Sequence, residues 1–391
     1  MTPEPHDRDR KRAVLLGAGH AHLHTIRRAA EFTRRGHELT LIAPEHFWYS
    51  GLATGMLGGI YPPSLDQIDV GVLVGRGGGR FVRDTVTRID PAEWLVHLES
   101  GPPLRYDAVS LNLGSRVPET IPGAVEHAWT VKPIHNLWHL RRDLEARLDA
   151  VPERPLPLVV VMGAGATGCE LAANIARLAE VRGRVLGVTV VGRGDRPLKQ
   201  APRGAARRVL GHLRHRGITF LGGAPVERVE PGAVVRGDGT RVPFDVLVDA
   251  IGLRPPPLVA ETGLPTDGEG ALVVDEHLRS VADPRVHGGG DCVAFRGREL
   301  AKIGVYAIRQ APVLCHNLLA ALDGRPPRAF RPQRRFLLII NLGDGTGLAT
   351  WGPLYWHGRL AFRLKDRIDR RFLAEYQEAG GRVEETAEGA A

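Results

Sequence analysis

Two short apolar runs, Arg12–Leu16 and Leu158–Met162, stand out from the pattern of hydrophobic and polar positions along the chain. Each run leads directly into closely spaced glycines, and each glycine cluster is followed by apolar residues at helical spacing. A buried strand, a glycine loop and a helix in this order are typical of a βαβ unit with a parallel sheet. The pattern therefore predicts two such units in one chain.

The second glycine loop is the more regular one. It reads Gly163-Ala164-Gly165-Ala166-Thr167-Gly168, a Gly-x-Gly-x-x-Gly pattern between a predicted strand and a predicted helix. The first glycine permits a tight turn, the second lets a pyrophosphate approach the backbone, and the third lets the helix lie close to the strand. The phosphates would lie at the N-terminus of the helix, where free N–H groups attract negative charge. The loop, including Thr167, is therefore a candidate dinucleotide site.

The first loop departs from this pattern at its third position. Gly17 and Gly19 are followed by His22 where a glycine is expected, and His20 lies inside the loop. The helix, predicted over Leu23–Phe32, is therefore expected to lie less close to its strand. A second strand, Glu38–Ile42, is followed by Glu45, which is a candidate to bind a ribose hydroxyl or simply a solvated loop residue.

An aromatic and glycine-rich segment, Phe47–Gly59, follows the first unit. Glycine permits a close approach of the backbone, and aromatic side chains offer a surface for stacking on a flat ring. We predict that this segment is a loop facing a cofactor, with Gly51 at the contact, although a packed connection between domains would have the same composition.

Two further segments indicate a duplication. Tyr106–Gly114 and Phe244–Gly252 each open with an aromatic-Asp pair, continue as an apolar strand and end at a glycine. Each lies at a similar distance beyond one glycine loop, as expected for two copies of one unit. We predict an α/β fold with two Rossmann-like domains, the second inserted in the first: a tail (1–11), a discontinuous first domain (12–125 and 270–325), a second domain (126–269) and a smaller α+β C-terminal region (326–391).

The last third of the chain adds one candidate site residue and one unusual helix. Asp291 follows a short strand and three glycines, where it could cap a helix or hold a cofactor hydroxyl. The next helix, Val305–Leu319, is expected to be interrupted near Pro312. Leu360–Gln377 is predicted to be a basic amphipathic helix, with Leu364, Ile368, Phe372 and Tyr376 in one stripe. Such a helix fits an anionic membrane surface and the body of the protein equally well.

Composition excludes several classes of protein. No apolar run approaches the 18 or so residues of a membrane span, and the polar start of the chain argues against a secretory signal. A cytoplasmic protein is therefore expected.

The three cysteines, Cys169, Cys292 and Cys315, form no closely spaced pair, so neither a metal site nor a redox disulfide is indicated. The net charge of +8 is spread along the chain without a basic stripe, which argues against a nucleic-acid partner.

Taken together, the two glycine loops, the two Asp-strand-glycine segments and Gly289-Gly290-Asp291-Cys292 resemble the two-dinucleotide-binding-domain flavoproteins, the pyridine nucleotide-disulfide oxidoreductase superfamily. Without paired cysteines near the first loop, the layout is similar to that of the type II NADH dehydrogenases. The loop Gly17–His22, Tyr49–Gly51 and the segment Leu364–Phe372 are more narrowly similar to a branch associated with selenide, water dikinase.

The resemblance implies cofactors and roles. FAD would bind at the first loop, with Gly114 and Asp291 nearby, and NAD(P)H would bind at the second, with Gly252 nearby. Glu170 matches the glutamate that lies near the junction of nicotinamide and flavin, and Lys132 matches a lysine in the segment that crosses between the domains. Both are taken as candidate catalytic residues. The implied reaction is hydride transfer from NAD(P)H to flavin and electron transfer onward to a quinone-like acceptor.

Two departures from the family pattern leave the substrates open. Where the quinone reductases carry Ala-Gln-x-Ala-x-Gln-Gln, the run Gly304–Gln310 keeps only Ala307 and Gln310. The second-copy strand ends in Gly192-Arg193 without the acid that holds an NADH ribose, and arginine there would suit the 2′-phosphate of NADPH, or would be a plain surface residue.

The leading hypothesis is thus an FAD-dependent NAD(P)H dehydrogenase with a small-molecule acceptor. A sulfide:quinone oxidoreductase, which would need reactive cysteines, and a non-enzymatic flavin-binding redox sensor are the alternatives. Peripheral contact with the inner face of the cytoplasmic membrane through Leu360–Gln377, and a homodimer, stay open as further partners.

Overall fold

Both apolar runs form the central strand of a five-stranded parallel sheet in the computed structural model, which describes residues 10–150 and 157–383. The N-terminal elements, in order, are β1 (Arg12–Leu16), α1 (His20–Arg27), α2 (Ala29–Thr33), β2 (Glu38–Ile42), β3 (Phe47–Trp48), α3 (Ser50–Leu57), β4 (Gln67–Ile68), α4 (Val70–Arg76), β5 (Arg80–Val82), β6 (Val86–Asp90), β7 (Leu95–Leu98), β8 (Leu104–Arg105), β9 (Ala108–Leu111) and α5 (Ala124–His127).

The middle of the chain contains β10 (Ala128–Thr130), α6 (Asn136–Asp149), β11 (Leu158–Met162), α7 (Ala166–Glu180), β12 (Gly187–Val191), α8 (Arg203–His215), β13 (Thr219–Leu221), β14 (Val226–Glu230), β15 (Ala233–Arg236), β16 (Arg241–Pro243), β17 (Val246–Asp249) and α9 (Pro257–Ala260). The remaining elements are β18 (Leu272–Val274), β19 (Val286–Gly288), β20 (Val293–Phe295), α10 (Gly304–Asp323), β21 (Leu337–Asn341), β22 (Gly347–Trp351), β23 (Leu354–Gly358) and α11 (Arg359–Tyr376).

The order of the strands shows that one sheet is inserted in the other. The first sheet runs β19-β9-β1-β2-β5 and the second β10-β17-β11-β12-β13. All strands of the second sheet fall between β9 and β19 in the sequence, so the chain leaves the first sheet, builds the second and returns. Four of the five residues of β1 and of β11 are buried, as expected for parallel strands covered by helices on both faces. The predicted α/β fold class with two Rossmann-like sheets is confirmed.

Three local predictions need correction. The first helix is split, because α1 ends at Arg27 and α2 begins at Ala29. The glycine-rich segment after β3 is mostly the helix α3 and not a loop; six of its eight residues are buried, so packing outweighs the low helix propensity of its two glycines. Helix α10 continues through Pro312 without interruption. Pro312 is exposed, so the carbonyl that loses its N–H partner can bond to water.

The C-terminal region is a three-stranded antiparallel sheet, β21-β22-β23, covered by α11. The predicted apolar stripe of α11 is only half correct, because Leu364 and Ile368 are exposed whereas Tyr376 is buried. The face turned inward instead carries a polar pair, Lys365 and Asp369, between Ala361 and Leu373 (both 0% exposed). In the described part of the chain, no helix is long and apolar enough to cross a membrane. The predicted tail at 1–11 lies mostly outside the described residues.

Candidate functional site

The first glycine loop is built around an asparagine that sequence reasoning missed. Asn112 follows β9, accepts a hydrogen bond from Ala21 N and donates one to the carbonyl oxygen of Gly289. A Cβ at Gly17 or Gly19 would lie within 2.5 Å of Asn112 atoms, and Gly17 has a φ of +82°. These two glycines therefore allow the loop to close over Asn112. The only signal in the sequence was the position of Asn112 at the end of a predicted strand.

His22, a predicted cofactor contact, is held by hydrogen bonds inside the protein, and its contact with a cofactor stays a prediction. Its side chain is fully buried, Nδ1 donates to the carbonyl oxygen of Gly17 (2.6 Å), and Nε2 accepts from the Ser110 hydroxyl (2.8 Å). Burial lowers the pKa of His22 to about 4, so the ring is neutral at pH 7. Because both ring nitrogens have protein partners, His22 replaces the third glycine by joining the loop to the first sheet.

His20 belongs to an aromatic cluster beside the first glycine loop. Its ring centroid lies 4.9 Å from that of Phe47 and 5.4 Å from that of Tyr49, and Phe372 of α11 stacks on Tyr49 at 5.0 Å. Burial, followed by the charge of Lys132, lowers the pKa of His20 to about 3. The neutral ring of His20 is thus placed where the N-terminus of α1 meets the C-terminal helix.

Lys132 and Asp291 come from distant parts of the chain to the same place. Burial lowers the pKa of Lys132, while the negative charge of Asp291 opposes that shift. Asp291 accepts a hydrogen bond of 2.8 Å from the Ser115 hydroxyl. Gly114, with a φ of +69°, has no atom within 4 Å of its Cβ position, so space remains beside the loop after β9. The predicted residues His20, Lys132, Gly114 and Asp291 therefore surround one region.

Two other predicted residues of the first domain are engaged by the protein itself. Glu45 forms a hydrogen bond with Nδ1 of His135 at the start of α6. A Cβ at Gly51 would lie 2.4 Å from the Tyr49 ring, and the carbonyl oxygen of Gly51 accepts a hydrogen bond from Lys365 Nζ. Gly51 is thus needed for packing between α3 and Tyr49, and its predicted role at a cofactor contact stays a prediction.

The three glycines of the second loop differ in what surrounds them. Gly163, with a φ of +109°, donates to the carbonyl oxygen of Val191 (2.8 Å). A Cβ at Gly168 would lie 1.8 Å from the carbonyl oxygen of Gly163, whereas a Cβ at Gly165 would meet nothing within 4 Å. Gly168 therefore permits close helix–strand packing, and Gly165 faces open space. Thr167 is exposed on the first turn of α7.

Arg193 and Gly252 lie at the ends of β12 and β17, the two neighbours of β11. Arg193 is exposed, and its guanidinium forms no hydrogen bond or ion pair with any residue that the structure describes. Gly252 is exposed and has a φ of +67°, which glycine adopts without strain.

Glu170 lies one turn into α7 and faces the C-terminal region. One carboxylate oxygen accepts a hydrogen bond of 2.8 Å from the backbone N–H of Asn341, and Asn341 also bonds to Asn174 of α7. Burial raises the pKa of Glu170, while the positive charge of Lys365 and the Asn341 bond oppose the shift. Glu170 thus connects the second sheet to the C-terminal sheet.

A buried group of charges lies on the inward side of α11, and no sequence pattern indicated it as a group. Lys365 Nζ donates to Asp369 (2.8 Å), and Asp369 accepts a second hydrogen bond from the Tyr49 hydroxyl (2.8 Å). Asp66 is fully buried, and neither of its oxygens has a hydrogen-bond partner among the described residues. Burial raises the pKa of Asp66 well above its ordinary value. We call Glu170, Lys365, Asp369 and Asp66 the buried charge cluster.

The geometry of two glycine loops on two parallel sheets agrees with a comparison with known families. Residues 11–313 match the family model of the pyridine nucleotide-disulphide oxidoreductases. The chain belongs to this family. The prediction of an oxidoreductase is confirmed at the level of the family.

Two curated relatives show which members of the family this chain is similar to. A NADH dehydrogenase-like protein of Mycobacterium tuberculosis is 30% identical over 236 residues, 59% of each chain. A type II NADH:quinone oxidoreductase of Haemophilus influenzae is 25% identical over 221 residues, 52% of this chain and 50% of the relative. The matched part therefore spans little more than half the length of these relatives.

Two solved structures share the fold of this family member. The structure of NDH2 from Plasmodium falciparum in complex with NADH has a TM-score of 0.79 at 15% identity and covers 96% of this chain and 99% of its own. The sulfide:quinone oxidoreductase of Aquifex aeolicus has a TM-score of 0.79 at 17% identity and covers 94% and 92%. At such identities the likeness concerns the fold.

The cysteines of this pyridine nucleotide-disulphide oxidoreductase are unpaired and buried. Burial raises the pKa of Cys169 and Cys292 to about 12 and that of Cys315 to about 11. The single S–H of Cys292 lies within weak hydrogen-bond distance of two carbonyl oxygens, those of Leu111 and Gly289. The cysteines are therefore packing residues and poor nucleophiles.

An exposed apolar surface lies on the solvent-facing side of α11. Leu360, Leu364 and Ile368 are 74%, 37% and 46% exposed, and the adjoining β22–β23 hairpin exposes Trp351 and Leu354. Several arginines of α11 lie among these residues: Arg359, Arg363, Arg367, Arg370 and Arg371. We call the three apolar residues of α11, with the hairpin, the apolar face.

Proposed function

We propose that this protein is an FAD-dependent NAD(P)H dehydrogenase that passes electrons to a quinone-like acceptor. The observation that carries the proposal is the pair of glycine loops on two parallel sheets, with the buried charge cluster where the second sheet meets the C-terminal region. The names of the two curated relatives support a nicotinamide donor, which is NADH in both names, and the name of the second supports a quinone acceptor.

The residues at both loops fit dinucleotides. Helices α1 and α7 begin directly after Gly19 and Gly165. In α1, Ala21 N donates to the Asn112 side chain and His22 N to the carbonyl oxygen of Gly19, which leaves His20 N for a phosphate. No described side chain caps α7, so its first N–H groups are available to phosphates, which the positive end of the helix dipole also attracts. We assign FAD to the first loop, in residues 12–125 and 270–325, and NAD(P)H to the second, in residues 126–269.

The bound FAD would accept a hydride from the nicotinamide and pass two electrons to the acceptor. The chain would orient the two cofactors and supply charges near the ring. Lys132 and Asp291 would provide a cation and an anion beside the first loop, and His20 would remain neutral there. Glu170, on the first turn of α7, would lie toward the junction of the two domains.

The buried charge cluster would provide a proton. Oxidation of NAD(P)H by a quinone consumes one proton from solution for each quinol formed, because the hydride carries two electrons and only one hydrogen. Burial raises the pKa of Glu170 and of Asp66, which favours the protonated form of both carboxyls. Lys365, which contacts Asp369, is the one cation among these carboxylates.

The apolar face suits a membrane in which a quinone is dissolved. Its exposed leucines and isoleucine lie among arginines, the pattern of a helix that rests on an anionic surface. We therefore assign peripheral membrane contact to the N-terminal half of α11 and its hairpin. A homodimer and the narrower likeness to the branch associated with selenide, water dikinase stay predictions.

The buried thiols argue against the sulfide:quinone alternative. That chemistry needs thiolates near the flavin, whereas all three cysteines are buried and their pKa values are raised. A redox sensor without enzyme activity would bind flavin but would be reduced by NAD(P)H slowly or not at all.

The test is an anaerobic titration of the purified flavoprotein with NAD(P)H, followed by addition of a quinone. We expect the flavin absorbance to bleach and to recover with the quinone. The Glu170→Gln variant keeps the shape of the side chain and removes the acid. Its flavin absorbance should still bleach with NAD(P)H but should recover more slowly after the quinone is added. Protein that is colourless after gentle purification, or flavin that neither nucleotide bleaches, would contradict the proposal.

A further inference from the structure

The segment Gly192–Lys199 follows β12 and passes over the second glycine loop. At its start, Gly163 N donates to the carbonyl oxygen of Val191 (2.8 Å), and near its end Leu198 N donates to the carbonyl oxygen of Ala164 (2.8 Å). The segment is thus attached to the loop at both ends. The segment follows the second strand of the sheet, beside which the adenosine ribose lies in a fold of this kind.

The residue at the position that would contact the ribose is a glycine, and an acidic side chain would not fit there. The residue at the carboxyl end of the second strand is commonly an aspartate or glutamate that binds the 2′-hydroxyl of NADH. Here it is Gly192, and a Cβ at this position would lie 2.7 Å from Ala164 Cβ. The only carboxylate in the segment, Asp195, is 82% exposed at its side chain and lies 3.8 Å from Arg196.

Three cations occupy the same segment. Arg193 and Lys199 are exposed, and their charged ends form no hydrogen bond or ion pair with any residue in the described ranges. Lys199 Cδ lies 3.7 Å from the Cβ position of Gly194, so the lysine lies beside the residue that follows Arg193. Arg196 donates to the carbonyl oxygen of Lys199 (3.1 Å), and its buried Nε has no partner there.

We propose that the second site takes NADPH in preference to NADH, with Arg193 and Lys199 binding the 2′-phosphate and Arg196 positioning Lys199. A phosphate dianion suits unpaired cations, whereas the 2′-hydroxyl of NADH finds no carboxylate at the end of β12, and the one carboxylate of the segment, Asp195, points to solvent beside Arg196. The inference rests on the proposed function, since it concerns the donor of that same reaction.

The first measurement uses the redox-inert probes 2′,5′-ADP and 5′-AMP with the holoenzyme in calorimetry. We expect 2′,5′-ADP to bind at least about tenfold more tightly, with an affinity that falls as salt rises. Equal affinities for the two probes would overturn the inference. This result is independent of the acceptor and of flavin reduction, so it decides the inference even if neither nucleotide bleaches the flavin and the proposed function fails.

The second measurement compares kcat/KM for NADPH and NADH in variants. Arg193→Ala should lower the value for NADPH about tenfold and leave that for NADH nearly unchanged, and Lys199→Ala should act in the same direction. Arg207→Ala, at an exposed arginine of α8, is the matched control and should change neither value. A loss that is equal for both nucleotides, or a higher kcat/KM for NADH in the unaltered enzyme, would contradict the preference.

Discussion

Lys365 donates a hydrogen bond of 2.8 Å to Asp369, one turn further along α11, and both side chains are almost buried. On the same helix Arg370 and Asp366 form a pair with the same spacing and the same 2.8 Å distance, but their side chains are 49% and 30% exposed. The two pairs share their spacing and distance but differ in burial and in the order of acid and base along the helix, so the exposed pair is the comparison for the buried one.

We expect Lys365→Met to lower the free energy of unfolding by about 3–5 kcal/mol, because it leaves buried carboxylates without their cation. Arg370→Met should cost less than about 1 kcal/mol, because the exposed pair is screened by solvent. Denaturant unfolding of both variants measures the difference. If both substitutions cost the same small amount, Lys365 is not the counter-charge of the cluster.

Asp66 should make stability depend on pH. Its pKa is raised by burial in the folded protein, so the folded state binds more protons than the unfolded one once the pH exceeds about 4. The native protein should therefore lose stability as the pH rises from that value toward the raised pKa. Asp66→Asn should remove this loss, and its gain in unfolding free energy should be larger at pH 7 than at pH 4.

The control for Asp66 is Asp143→Asn, at a partly exposed ion pair with Arg147. This substitution should change the unfolding free energy by less than about 1 kcal/mol. A gain from Asp66→Asn that is the same at both pH values would show that the carboxyl is not protonated more readily in the folded state.

Substitutions at two glycines of the second loop should affect nucleotide binding and folding separately. Gly165→Ala should leave the protein folded, because its Cβ would meet open space and its φ of −74° suits alanine, but it should weaken NAD(P)H binding. Gly168→Ala should lower the unfolding free energy by about 1–3 kcal/mol or more, because its Cβ would overlap the carbonyl oxygen of Gly163.

Gly211→Ala, at an open position of α8, is the benign control and should stabilise the protein slightly. Thermal unfolding and nucleotide titration of the three variants give the two readouts. Normal nucleotide binding by Gly165→Ala would argue against a pyrophosphate at this loop.

The cysteines should be unreactive in the native protein. All three are at most 3% exposed, and burial raises their pKa values to about 11–12. We expect no labelling by iodoacetamide at pH 8 in the native state and three labels after denaturation, counted by mass spectrometry. Fast labelling of Cys169 or Cys292 in the folded protein would instead support the alternative function as a sulfide:quinone oxidoreductase.

The apolar face should bind vesicles that contain anionic lipid. Replacing Leu360, Leu364 and Ile368 by serine should weaken binding to phosphatidylglycerol vesicles at least about tenfold, because three exposed apolar side chains are lost, and should leave flavin reduction unchanged. Val185→Ser, at another exposed apolar position, is the control. Equal sedimentation of the triple variant and the unaltered protein with vesicles would contradict membrane contact through this face.

The sequence by itself determined the parts that depend on local pattern. Apolar runs that end in glycine predicted the central strands β1 and β11, because a buried parallel strand must be apolar on both faces and the turn after it needs a residue without a side chain. The Gly-x-Gly-x-x-Gly pattern at Gly163 predicted the closely packed helix, which Gly168 allows. The repeated Asp-strand-glycine segments predicted that one sheet is inserted in the other.

Tertiary structure alone decided which polar residues meet. Asn112 and His22 close the first loop through contacts with residues about 90 positions away in the sequence. A local sequence pattern cannot predict such contacts. On α11 the apolar period predicted the stripe through Leu364 and Ile368, but the helix turns Lys365 and Asp369 inward. It does so because Tyr49 and the carbonyl oxygen of Gly51 satisfy their hydrogen bonds from another part of the chain, which offsets part of the cost of burying charge.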